Sequence, residues 1–147
     1  MKIRHISLLV AALALPLHAQ ETASAAPAEL TAAEQAEYAE QKALCTETLN
    51  LFKESVEVLK QVKDKASAEA AAPRMKAILA GMVENNAKAG ALGRPGKAVE
   101  LKIVNEFEPQ LVQLMNEMES AVILLEDKSY YGSEALKEVL SVFFPSS

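Results

Sequence analysis

Residues 31–63 read TAAEQAEYAEQKALCTETLNLFKESVEVLKQVK, and this stretch decides the fold. Thr31-Ala32-Ala33-Glu34 forms a capping box, in which the threonine hydroxyl and the glutamate carboxylate each serve a backbone N–H left open at a helix start. No Gly or Pro follows through Lys63. Cys45, Leu49, Phe52, Val56 and Leu59 recur at steps of four and three, which is one face of a helix. Leu44, Leu51, Val58 and Val62 fall on a flanking arc, while Lys42, Thr46, Asn50, Lys53, Glu57 and Lys60 fill the opposite side. An apolar face this wide suits a bundle of three or four helices better than a two-stranded seam. A helix over 32–63 would be about 50 Å long.

The rest of the chain repeats this character. Asp64 and Ser67 interrupt the pattern as turn or N-cap residues, and a second helix is expected over about 68–88. Its face carries Met75, Ile78, Leu79, Met82 and Val83. Pro73 leaves two possible starts: near Ala72 with the proline in first position, or at Ser67 with a kink. Gly90, Gly93, Pro95 and Gly96 mark a loop of about eight residues. A third helix is expected over 97–128, where Val104, Phe107, Leu111, Leu114, Met118, Val122 and Leu125 keep heptad-like, coiled-coil spacing. Its phase continues across Pro109, which favours a kink there over a break. Tyr130-Tyr131-Gly132 closes the segment, and Ser133 caps a last helix over 134–143 with Leu136, Val139, Leu140 and Phe143 on one face before Pro145 ends it. No alternating run signals a strand, and the reading assigns no internal repeat. The expected architecture is an all-α, antiparallel up-down helical bundle of two long and two shorter helices.

Upstream, Lys2 and Arg4 precede an apolar run from Ile6 to Leu17, and Leu17-His18-Ala19 is a cleavage site before Gln20. This is the pattern of a secretory signal peptide, and its apolar run is too short for a membrane span. The expected organisation is a signal peptide over 1–19, a flexible leader over 20–30 and one helical-bundle domain over 31–147, exported to the periplasm or outside the cell. Of the 147 residues, 15 are Lys or Arg and 20 are Asp or Glu; removing residues 1–19 takes away Lys2, Arg4, His5 and His18 and leaves a formal charge of −7. The mature chain is therefore acidic and free of histidine. That excludes imidazole-based acid/base catalysis and every metal or haem site that needs a histidine ligand. The acidic balance argues against nucleic acid as a partner, and no transmembrane segment follows the signal.

Each residue with reactive or ligating potential has a packing explanation. Cys45 is the only thiol, so no intrachain disulfide is possible; its place on the main stripe reads as a buried core thiol rather than an intermolecular disulfide or a metal-binding thiolate. Met75, Met82, Met115 and Met118 are soft ligands that suit Cu(I), but they lie on or beside the apolar stripes as core gap-fillers. The loop from Gly90 to Lys97 departs from the phosphate-loop pattern in spacing, has Ala98 where a hydroxyl belongs, and follows no strand. Gly96 and Lys97 at the helix start still offer an anion position. Glu106 with Glu108, and Glu117 with Glu119, are two residues apart and point away from each other on a helix, as solvated faces do. Of Tyr130 and Tyr131, one is expected to pack over the bundle end and the other to be exposed; at least one ring of Phe143-Phe144 is expected to pack inward.

Leu30-Thr31-x-x-Glu34-Gln35 resembles the L-T-x-x-Q motif of periplasmic helical chaperones over about six residues, with Glu where Gln belongs and no second copy. The capping box accounts for the same residues, and no family is assigned on this basis. No residue is assigned a catalytic, cofactor-binding or metal-binding role. The functional expectation is an exported, non-enzymatic bundle acting through protein–protein interaction or as a scaffold, with an unknown protein partner or self-association. The alternatives are a carrier for a small apolar ligand or Cu(I), and a chaperone-like holdase.

Overall fold

The computed structural model describes residues 29–143. The signal segment, most of the leader, the side chain of Phe143, and Phe144 lie outside what it describes. The described residues form an all-α structure without strands: α1 Ala32–Lys60, α2 Lys65–Leu92, α3 Lys97–Asp127 and α4 Glu134–Phe143. Three helices are therefore long and one is short, where the sequence suggested two of each.

Local chemistry sets most of the boundaries. Thr31 caps α1 as expected: its hydroxyl accepts from the Glu34 N–H at 3.3 Å, and the Glu34 carboxylate accepts from the Thr31 N–H at 2.8 Å. A second capping box starts α2 three residues earlier than the sequence reading had it. Asp64 accepts from the Ser67 N–H at 2.8 Å, and Ser67 Oγ accepts from the Asp64 N–H at 3.0 Å. With that nucleus in place, the helix runs through Pro73. Pro73 and Glu69, whose carbonyl the proline leaves without its helical donor, are both exposed, so the freed carbonyl is on the solvent side, where losing the bond costs least. The same reasoning carries α3 through Pro109, because Pro109 and Asn105 are also exposed. Gly90 stays helical, and α2 ends instead at Gly93, whose φ of 79° is the left-handed geometry a C-terminal glycine adopts. The connection to α3 is consequently short.

Between α3 and α4, Ser129, Tyr130, Tyr131 and Gly132 all have positive φ. Both tyrosines are half-buried against the core, correcting the expectation that one would be exposed. The Tyr130 hydroxyl lies 3.3 Å from Glu126. Ser133, itself buried, accepts from the Leu136 N–H at 3.2 Å and starts α4.

α1 packs along both α2 and α3, and α4 packs on α2. The core contains the predicted stripe of α1 (Cys45, Leu49, Phe52, Val56, Leu59) together with Val58 and Val62 from its flank. From α2 it takes Ala68, Ala71, Ala72, Met75, Ile78 and Met82; from α3, Val99, Ile103, Phe107, Leu111, Leu114, Met118, Ala121, Val122 and Leu125; from α4, Leu136 and Leu140. The alanines of α2 and Gly81, where an added Cβ would come within 3.2 Å of Leu51, allow a close approach to α1. Of the apolar residues placed on core faces by the sequence pattern, Val83 is exposed and Leu79, Val104 and Val139 are half-buried.

Candidate interaction face

The residues singled out for chemistry go mostly into packing. Cys45 is buried, and burial, reinforced by the nearby charge of Glu106, pushes its thiol up to about 11. Met75, Met82 and Met118 are core residues, and Met115 packs half-buried against the core. Among the described residues no group of three or more His, Cys, Asp and Glu side chains could hold a metal ion, and no helix is long and apolar enough to cross a membrane. The anion position at the start of α3 is taken by the chain itself, since the Gly96 N–H donates to Glu37 of α1 at 3.1 Å. This carboxylate sits where the helix dipole favours negative charge.

The paired carboxylates do diverge, but the inner member of each pair has a role that the sequence reading missed. Glu106 accepts from Lys42 of α1 at 2.6 Å and from the Tyr38 hydroxyl. Lys102 lies over the Tyr38 ring, 4.3 Å from its centre. Eleven residues on, Glu117 accepts from Lys60 of α1 at 2.8 Å. The lysine hydrogen bonds, followed by those from Tyr38 and Gln113, hold both carboxyls below the usual range.

That eleven-residue interval extends over residues 101–122 of α3, a short internal repeat that the sequence expectation did not include. Residues 101–111 read LKIVNEFEPQL and residues 112–122 read VQLMNEMESAV. Asn105 and Asn116, Glu106 and Glu117, and Glu108 and Glu119 correspond, and apolar residues coincide at 101/112, 103/114, 104/115, 107/118 and 111/122. An interval of eleven is three turns at about 3.67 residues each, so each position keeps its face along the helix. Burial repeats with the sequence. The pairs Ile103/Leu114, Phe107/Met118 and Leu111/Val122 are in the core. Glu106 and Glu117 clasp α1. Val104 and Met115 are half-buried beside the core, and the pairs Leu101/Val112, Asn105/Asn116 and Glu108/Glu119 lie on the outer side.

This outward face is unusual in composition. Leu101, Val112 and Ile123, one per repeat interval, are 54%, 49% and 44% exposed. Between them lie Asn105, Glu108, Asn116 and Glu119, whose side chains make no hydrogen bond or ion pair among the described residues. Beside the row runs an open groove of about 550 Å³, bounded by Lys60 of α1 and by Pro109, Val112, Asn116, Ser120 and Leu124 of α3. Leu124 is 66% exposed. Core and ion-pair requirements account for the inward positions; neither asks for large apolar side chains on the outside. Comparison with protein-family models, with curated proteins and with solved structures finds no match to this chain.

Proposed function

We propose that the chain is an exported, non-enzymatic helical-bundle protein that acts by docking a protein surface on the outer face of α3. The observation that carries this reading is the recurrence of Leu101, Val112 and Ile123 at eleven-residue intervals on a face that no other described residue covers. Scattered single apolar residues are normal on a protein surface; here three recur at equal intervals along one line of one helix, and Val112 joins Leu124 in lining the open groove beside it. The groove is on the outside of α3, which supports docking over an interior carrier site.

In this reading the helices form an antiparallel up-down bundle. Asn85 of α2 donates to Leu44 and Thr48 of α1, and Gly81 lies against Leu51, so numbering on the two helices runs in opposite senses. The pairs Glu37–Gly96, Lys42–Glu106 and Lys60–Glu117 support α3 running alongside α1 in the same sense. The bundle then presents α3 as one edge, continuous as a helix through Pro109.

Two measurements test the proposal. N-terminal sequencing of the exported protein is expected to begin near Gln20; an intact Met1 would overturn the export reading. A photo-reactive residue at position 112 of the protein in its native cells is expected to give discrete protein adducts that the same residue at Lys53 does not. Equal adduct patterns from the two positions, or none from 112, would sink the docking face.

A further inference from the structure

We infer that the occupant of this face is a second copy of the same chain, with two α3 helices packed antiparallel about a twofold axis at Val112. The inference rests on the docking reading above and names its partner.

One row along the outer side of α3 holds Lys97, Leu101, Asn105, Glu108, Val112, Asn116, the half-buried Glu119, Ile123 and Asp127, with Pro109, Gln113, Ser120 and Leu124 exposed to one side of it. The spacing along the row is 4, 4, 3, 4, 4, 3, 4, 4, which reads the same in both directions. Turning a second helix about Val112 therefore sets every residue of the row against its mirror position. Val112 meets Val112, and Leu101 meets Ile123. Asn105, an amide, meets Glu119, a carboxylate, and Glu108 meets Asn116. At the two ends Lys97 meets Asp127. Apolar faces apolar, donor faces acceptor, and the one cation in the row faces the acid at its far end. A twofold interface requires this self-complementarity, because the same patch must serve both sides.

The parallel alternative fails on the same residues. It would place Lys97 against Lys97, Glu108 against Glu108, Glu119 against Glu119 and Asp127 against Asp127, all like-charge contacts.

The helix termini give a second line of support. Lys97 is the first residue of α3 and Asp127 the last, so each charge opposes the dipole of its own helix end. Both residues are exposed and neither forms an ion pair within the chain among the described residues. An antiparallel neighbour reverses the sign of the environment at each end and pairs the two charges. With three half-exposed apolar side chains per copy, the contact is at the small, transient end of interface sizes, with micromolar rather than nanomolar affinity.

The test uses purified mature protein in which Cys45, being buried, remains as it is. Val112→Cys is expected to form a disulfide-linked dimer under mild oxidation. Leu101→Cys and Ile123→Cys, distinguished by tags of different length, are expected to link to each other when mixed and not to themselves. The unsubstituted chain should stay monomeric on non-reducing gels. Lys97→Glu is expected to weaken association at least several-fold, and the double change Lys97→Glu with Asp127→Lys to restore it. Leu101→Cys linking to itself would mean a parallel pair and overturn the register, and a double charge variant as weak as the single would overturn the end pairing. No linkage above the unsubstituted chain would overturn self-association. If position 112 then still gave adducts to a different protein in cells, the docking face would stand with another occupant; loss of those adducts too would remove both readings.

Discussion

Asn85 gives the sharpest test of the core. It is 3% exposed, and its Nδ2 donates to the Leu44 carbonyl at 2.9 Å and to Thr48 Oγ1 at 2.7 Å, but its Oδ1 has no hydrogen-bond partner among the described residues. Asn85→Leu removes two hydrogen bonds worth about 1 kcal/mol each. It also removes a buried, unpartnered carbonyl, whose desolvation costs about 1–3 kcal/mol, and adds about 1 kcal/mol of apolar burial. Leu44 and Thr48 are not stranded, since both are half-buried rather than sealed. The substitution is expected to fall between neutral and about 2 kcal/mol stabilising. Asn85→Asp has the same shape, but puts a carboxylate oxygen against the Leu44 carbonyl and a charge in the core, and is expected to cost about 3 kcal/mol or more at pH 7. Burial raises the folded pKa of that carboxyl above its unfolded value of about 3.9. Its deficit should therefore shrink as pH falls through the folded pKa. Urea unfolding of the three proteins at pH 7 and pH 4 reads all of this. A loss of about 2 kcal/mol or more in Asn85→Leu would refute the reasoning, because it would mean that Oδ1 is satisfied in the native protein.

Other consequences are as direct. Phe52→Ala, with the ring 5% exposed, is expected to cost about 3–5 kcal/mol, while Lys53→Ala on the opposite arc changes little; equal effects in denaturant unfolding would mean that the helical phase is wrong. Cys45, with its thiolate disfavoured by burial, should react with a thiol reagent much more slowly in the native protein than in denaturant, and rapid native labelling would place it on a surface. Glu106 and Glu117 have folded pKa values below the unfolded ones, so their contribution is present above the unfolded value of about 4.3 and lost as pH falls through the folded values. Thermal unfolding should show a shallower acid decline when both are changed to Gln, and superimposable pH profiles would contradict the ion pairs.

Much of the fold was legible because it depends on local rules. The Thr31 capping box, the stripe from Cys45 to Leu59 and the Ser133 cap are each set by residues within a turn or two of one another. Of the two starts the sequence leaves open at Pro73, the structure has the helix that runs through the proline, and Gly90 differs from expectation because its effect depends on setting. A proline whose freed carbonyl faces water leaves the helix standing, and a glycine ends a helix only where the backbone turns left-handed, which happens at Gly93. Asn85 was invisible as a core residue because its partners lie 41 and 37 residues away on α1, and a polar residue in an apolar pattern reads as solvent-facing. The outer face of α3 was missed for a different reason. Its apolar steps of three and four also fit heptads, whereas laying residues 101–111 over 112–122 shows the Asn-Glu-x-Glu run in register and the eleven-residue period with it. That signal was present in the sequence; only the exposure of positions 101, 112 and 123 required the structure.

The central claim is that the outer row of α3 exists for contact and not for the fold. Sedimentation equilibrium of the mature chain, beside the triple variant Leu101→Ser, Val112→Ser and Ile123→Ser, tests it most directly when both proteins are also melted. The account predicts that the native chain shifts from monomer toward dimer as concentration rises through the micromolar range, while the triple variant stays monomeric with an unchanged unfolding midpoint. Identical masses for the two proteins at every concentration, or a midpoint several degrees lower in the variant, would contradict it.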